Sequence, residues 1–372
     1  MLPNPFQKPL TEFKDTDPLK NREIVRELLG PEGVHKYRKI LGDTSDPTPK
    51  QGKEVSQEDL LALAAEARSK IDILSRDSVG PILERLIEKG YASQIKSLEE
   101  IGFLERESET SPNKLGHTDI LGTFREVPTA EAIKNHFLSI PNIKQKIDQG
   151  FTRLFIVPFG SSLGSLIEKT SNLILKHKKA NKLLAENGIE LALDEKEPLW
   201  VWDEHNNADK SGKLVYYPKQ FNKENHGGKT KKDLLSSSVN SPGYHILLIQ
   251  EDPIIPREGK GTAQAGRDQI EAGKSPNDYL ELLKTDPTYS KERGFTPEDW
   301  LTLFATNLNQ KNRVINDYAS QKDSVNYLVG SYFLGSGRVP DAYWYRGDRR
   351  VVLGGYGPAV ADGDYGVAGA VG

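Results

Sequence analysis

Arg153-Leu-Phe-Ile-Val-Pro-Phe159, followed by Gly160-Ser-Ser-Leu-Gly164, is the stretch on which the fold class turns. A short, unbroken apolar run suits a strand buried on both faces, and the Gly/Ser segment leads into a helical pattern reaching about Asn187-Gly188. Beyond it, Ile189–Leu193, Leu199–Trp202, Leu214–Tyr217 and Tyr244–Gln250 are each short and β-prone, with a turn signal at Asp209-Lys-Ser-Gly212. Ser275-Pro276 with Asp278, and Thr296-Pro297-Glu298, open two further helices. Strand, helix, several strands and flanking helices predict a mixed α/β domain over residues 151–326.

Upstream, apolar residues recur at three and four from Asp17 to about Ile143, which predicts a helical region over 1–150. Asp17-Pro18 starts a helix that ends at Leu29, and residues 43–56 form a linker. Ser56 with Asp59 opens a helix through Leu74, Pro81–Lys89 closed by Gly90 is another, and one more follows Thr129. Downstream, composition changes abruptly near 326. No lysine, glutamate or asparagine follows Asn326, while a third of the 33 glycines do. Short strands at about 341–346, 349–353 and 366–371, joined by glycine turns, predict a small β module over 327–372 that completes itself on the preceding domain. The expected class is α+β.

Composition removes several function classes. With 50 basic and 53 acidic residues the net charge is −3, so no global field draws in nucleic acid or an anionic membrane. The chain has no cysteine, which excludes disulfides, thiolate metal sites and a thiol nucleophile. Residues 1–15 lack the apolar core of a signal peptide, and no run reaches the ~18 apolar residues of a membrane span, so the cytoplasm is the expected compartment, with surface display or release by another route left open.

Candidate catalytic motifs fail on spacing. Gly227-Gly-Lys-Thr230 has Lys223 where a phosphate loop needs its first glycine, and Gly259-Lys-Gly261 has Gln264 in place of the third glycine of a dinucleotide fingerprint. Asp203-Glu204-His205 reads as a polar turn, and Ser161, Ser162 and Ser165 as helix caps. Asp362-Gly363-Asp364 resembles a calcium-loop fragment, yet the other ligands and the bidentate glutamate are missing. No cofactor and no metal site are expected, and no enzyme. The alternatives are an enzyme with a site near Ser161–Ser165 and Asp203–His205, or a scaffolding protein.

What remains is the tail. Tyr343, Tyr345, Tyr356 and Tyr365 offer stiff, amphipathic contact area, and Asp348, Asp362 and Asp364 offer polar contacts, the palette of antibody combining sites. The run Arg346-Gly-Asp-Arg-Arg-Val-Val-Leu-Gly-Gly-Tyr-Gly-Pro358, with Asp364-Tyr-Gly-Val367 after it, resembles the variable region of the C-type-lectin-like target proteins of diversity-generating retroelements. In that family a reverse transcriptase miscopies adenines, so that Asn codons scatter into Tyr, Asp, Gly, Ala, Val and Ser on a fixed scaffold. The resemblance implies that Tyr343, Tyr345, Gly347, Asp348, Gly354, Gly355, Tyr356, Ala359, Val360, Asp362, Gly363, Asp364, Tyr365 and Ala368 are products of such scattering. It makes Trp344, Arg346, Arg349, Arg350, Pro358, Gly366 and Val367 scaffold. It implies a ligand-binding protein displaying its tyrosines to water, with a protein or glycan as ligand. The family usually closes with an arginine after the Gly-Val pair, where this chain has Ala368. Residues 1–326 resemble uncharacterised proteins of uncultivated small-genome bacteria, which implies no activity.

Overall fold

The computed structural model describes residues 57–107, 114–237, 243–320 and 322–372, with side chains from Val79 onward in the first segment. The helix expected over Asp17–Leu29, the linker at 43–56 and the N-terminal segment 1–15 lie outside the described residues. The chain divides into Met1–Pro81 and Ile82–Gly372. Of the former, the described part is helical and belongs to helix α1 (Gln57–Ile101).

Where two helices broken near Leu74 and at Gly90 are expected, α1 is continuous through Pro81 and Gly90. Gly90 is a close-approach position, not a stop: a Cβ there would stand 3.2 Å from the Leu154 Cβ. The helical reading of residues 102–128 is also corrected. Glu105–Arg106, Leu115–Thr118 and Phe124–Glu126 form a three-stranded antiparallel sheet. Its second turn is closed by Asp119, whose Oδ1 accepts from Leu121 N and Thr123 N while Oδ2 pairs with Arg125 Nε at 2.7 Å. The helix Ala130–Leu138 begins, as expected, at Thr129, which caps Ala132 N.

The elements that matter for the site are strands β1 (Phe151–Val157), β2 (Leu199–Val201), β3 (His245–Gln250), β4 (Glu292–Gly294), β5 (Val325–Tyr327), β6 (Val339–Tyr345), β7 (Arg350–Tyr356), β8 (Tyr365–Gly366) and β9 (Gly369–Val371). Helices α2 (Leu163–Lys179), α3 (Pro276–Thr285) and α4 (Pro297–Lys311) accompany them. The deciding stretch behaves as read: β1 is buried over its second half, and Ser162 caps α2 by accepting from Ser165 N. α2 stops at Lys179, short of Gly188, because Asn181 takes a left-handed conformation (φ 54°). Ile189–Leu193 is a bridged turn and not a strand.

Two sheets dominate. One is antiparallel, in the order β4-β9-β3-β1. The other, β8-β5-β6-β7-β2, is antiparallel at its centre and parallel at both edges, where β8 joins β5 and β2 joins β7. A three-stranded sheet links Ser331–Phe333, Leu214–Tyr216 and Lys229–Thr230. The class is α+β. The tail is woven into both larger sheets: β9 lies between β4 and β3, and the composition change at 326 falls within β5. No described helix is long and apolar enough to cross a membrane.

Helix α4 packs against α2 and is buried at every residue from Pro297 to Leu308. Its first turn therefore takes Glu298 and Asp299 into the interior, at the positive end of the helix dipole. Glu298 Oε1 receives Lys231 Nζ at 2.7 Å and the Tyr216 hydroxyl at 2.7 Å; Lys231 also reaches Asp209 at 3.1 Å and the Ser161 carbonyl at 3.0 Å. Asp299 completes a capping box with Thr296, pairs with Arg293 at 2.7 Å and meets His245 Nδ1 at 2.7 Å. Burial opposes its charge, but Arg293 and then His245 hold its carboxyl below the usual range. Lys231 is wholly buried, so Lys231→Met leaves two interior carboxylates without their cation. Chemical denaturation of that variant is expected to show a loss of about 3–5 kcal/mol, and a loss below about 1 kcal/mol would contradict this account of the network.

Candidate functional site

β6 is read by its period of two. Pro340, Ala342 and Trp344 are buried on one side, while Asp341, Tyr343 and Tyr345 point to the other. Register carries that second face across the sheet, since Tyr343 lies opposite Val352, Val352 pairs with Trp200, Asp341 lies opposite Tyr327 and Gly354, and Tyr365 pairs with Val325. Tyr318, on a turn before β5, stacks on Tyr345 with centroids 6.0 Å apart and meets Tyr343 edge-on at 5.4 Å. Tyr343 lies 6.5 Å from Tyr365, which lies 4.7 Å from Tyr356. Five tyrosines thus form one continuous aromatic face.

These rings are half-buried, where full display to water is expected from the sequence. The reason is Tyr327 on β5, fully buried, whose ring lies 4.8 Å from Tyr365 and 5.5 Å from Tyr356 and seats both on the core. Tyr343, Tyr345 and Tyr365 hydroxyls hold no protein hydrogen bond among the described residues, whereas Tyr356 donates to Asp362 Oδ2 at 3.0 Å. Burial raises the phenol pKa of Tyr343, Tyr356 and Tyr365, so a ligand meets neutral hydroxyls.

The three expected polar contacts are engaged within the chain. Asp348 is exposed and pairs with Arg350 at 2.7 Å; Asp362 also accepts from Asp364 N at 2.9 Å; Asp364 pairs with Arg257. Among the described residues no group of three or more His, Asp or Glu is placed to hold a metal ion. The residues read as scaffold hold the frame by different means. Trp344 is fully buried, and Arg346 Nε reaches Asp317 at 2.8 Å. Arg350 also pairs with Glu197, and the Pro358 carbonyl accepts from Asn277 N. Gly366 lies against Ile255 and Ala272, and Arg349 is an exposed left-handed turn residue (φ 59°) whose carbonyl accepts from Asp194 N.

Sequence reasoning missed Asp341, although it stands two residues before Tyr343 on the same strand face. It is 3% exposed, and among the described residues its carboxylate accepts no hydrogen bond. Tyr318 left no local signal, since it comes from outside the tail. Also missed is the interior line from the Tyr217 hydroxyl through His245 to Asp299, with 2.6 Å and 2.7 Å contacts. At the positions weighed for an enzyme, partners are backbone groups: Ser162 caps α2, and His205 Nε2 lies 2.9 Å from the Gly354 carbonyl. Burial pushes the His205 pKa down to about 4, so the ring is neutral.

Comparison with protein-family models, with curated proteins and with solved structures finds no match to this chain.

Burial raises the Asp341 carboxyl to about 7, with Arg338 opposing. A folded pKa above the unfolded value of about 3.9 means that between roughly pH 4 and pH 7 the native state keeps a proton that the unfolded chain has lost. Stability at this site is therefore full below that window and falls as pH rises through it. Asp341→Asn mimics the neutral form, and thermal melts are expected to show it more stable than the parent at pH 8, by on the order of 2–4 kcal/mol, with the difference vanishing near pH 4. Equal or lower stability at pH 8 would mean that the carboxylate is compensated in place.

Proposed function

We propose that the Ile82–Gly372 body is a recognition protein whose ligand-binding face is the tyrosine surface of β6, β7 and β8. We further propose that the face is diversified in the manner of the C-type-lectin-like retroelement targets and carries out no turnover. The ligand is a protein or a glycan. The observation that carries this reading is a partition. Of the fourteen residues that the resemblance treats as products of diversification, Gly354 alone is buried, while Val351, Val352, Leu353 and Val367 between them are buried throughout. Partly exposed sheet and turn positions vary at lower cost than core positions, which a diversified face requires, although Tyr356 and Tyr365 also rest on Tyr327.

Tyrosine suits the role because its ring contributes area with two rotatable bonds and its hydroxyl contributes hydrogen bonding. Polar clusters elsewhere pair internally, which supports binding over catalysis. A cysteine-free chain suits the reducing cytoplasm, where we place it.

Two surface-display libraries test this reading. One randomises Tyr343, Tyr345, Asp348, Tyr356, Asp362, Asp364 and Tyr365; the other randomises Trp344, Val351, Leu353 and Val367. Protease resistance is expected to survive in most members of the first and few of the second, and equal loss in both would remove the proposal. Sequencing the flanks of the gene bears on the origin of the face: the proposal expects a near-copy of the tail's coding sequence, differing at adenines, beside a reverse transcriptase gene.

A further inference from the structure

The tyrosine face holds one group that recognition of neutral surfaces does not explain. Asp341 sits at the centre of β6, opposite Tyr327 on β5 and Gly354 on β7. Its carboxylate is almost wholly removed from water, yet no hydroxyl of Tyr327, Tyr343, Tyr356 or Tyr365 donates to it. Tyr327 turns instead toward the Val360 carbonyl and Tyr356 toward Asp362. Gly354 contributes no side chain to partner it: a Cβ there would stand 2.7 Å from Asp341 Oδ1. The nearest cation that acts on it, Arg338, is committed elsewhere, with its guanidinium over the Trp202 ring at 5.4 Å and Nη1 donating to the Gly355 carbonyl at 3.1 Å. A buried carboxylate without donors is costly; below about pH 7 a proton relieves it, and above that a cation does. Four tyrosines lie near it, and aromatic rings attract a cation over an anion.

We propose that Asp341, ringed by Tyr327, Tyr343, Tyr356 and Tyr365, is the receptor for an alkylammonium group of the ligand. This deepens the recognition reading and rests on it. The shared chemistry is an aliphatic ammonium, whether a lysine side chain of a partner protein or a free amine. The ammonium approaches the carboxylate while its alkyl stem lies along the tyrosine rings, in the way that lysine stems cover apolar surface.

The groups facing Asp341 are Tyr343 on its own strand, Arg338 just before that strand, Tyr327 from β5, Tyr356 from β7 and Tyr365 from β8, with Asp362 beyond them, bonded to Tyr356. Burial raises the Asp341 carboxyl to about 7, so capture of the cation weakens as pH falls below that value.

Two-dimensional NMR of the full chain labelled with ¹³C-tyrosine, titrated with n-butylammonium, with Nα-acetyl-lysine methylamide and with neutral n-butanol, tests this. Saturable shifts of the four tyrosines are expected with both ammonium probes, at least tenfold weaker with n-butanol, tenfold weaker in Asp341→Asn, and weaker at pH 5.5 than at pH 8 in the parent alone. Stronger binding of the lysine derivative points to a protein lysine as source, and stronger binding of n-butylammonium to a free amine. Equal binding of butanol and butylammonium, or an Asp341→Asn variant that binds ammonium as the parent does, overturns the inference. In that case a folded first library leaves the recognition face standing, whereas a collapsed one removes both.

Discussion

Helix α4 is enclosed from Pro297 to Leu308, and an enclosed helix must settle its first turn without water. Two carboxylates do so here. Asp299 caps Thr296 and takes Arg293 and His245, while Glu298 takes Lys231 and Tyr216. Removing any one cation strands a charge in a medium that cannot solvate it, so the elements that supply these cations are tied to the helix start. They are β4 through Arg293 and the helix Lys231–Ser237 through Lys231, while β3 contributes His245, which burial keeps toward its neutral form, as a hydrogen-bonding partner of Asp299. The two larger sheets and α2 are arranged about this helix.

The same helix reaches the recognition face. Trp300 Nε1 donates to Asn316 Oδ1 at 2.7 Å, and Asn316, in a left-handed conformation (φ 52°), is held in turn by Asp323 and the Ser324 carbonyl. The next residues are Asp317, which grips Arg346 at the end of β6, and Tyr318, which stacks on Tyr345. A buried indole thus sets the position of a half-buried ring through three residues of chain. This is how a site that includes loop residues is held with the rigidity of a core.

Elements with strong local chemistry were legible in the sequence. The capping signals at Ser275 and Thr296, the helix after Thr129 and the buried run before Phe159 each correspond to an observed element. Elements defined by partners far along the chain were not. Pro81 read as a helix start and Gly90 as a helix stop, because a sequence does not announce that Leu154 needs the space at Gly90. The strands at 105–126 are two to four residues long and were hidden inside a helical spacing, with Asp119 as their one turn signal. Within the candidate site, the aromatic composition of the tail and the family resemblance pointed to Tyr343 and Tyr345. The alternation of β6 puts Asp341 on the same face, and its burial depends on rings from β5, β7 and β8 that local sequence does not announce. Half-burial of Tyr356 and Tyr365 was equally invisible, being set by Tyr327 across the sheet.

The account stands on an ordered aromatic surface that water and ligands reach, above a tyrosine layer that water does not. Hydroxyl-radical footprinting of the native protein, resolved by mass spectrometry at single tyrosines, measures this directly. Oxidation should be fast at Tyr318, Tyr343, Tyr345, Tyr356 and Tyr365 and slow at Tyr216, Tyr279 and Tyr327. Uniform protection of all eight would place the rings in the core, and uniform oxidation would mean that no such surface is formed; either result contradicts the account.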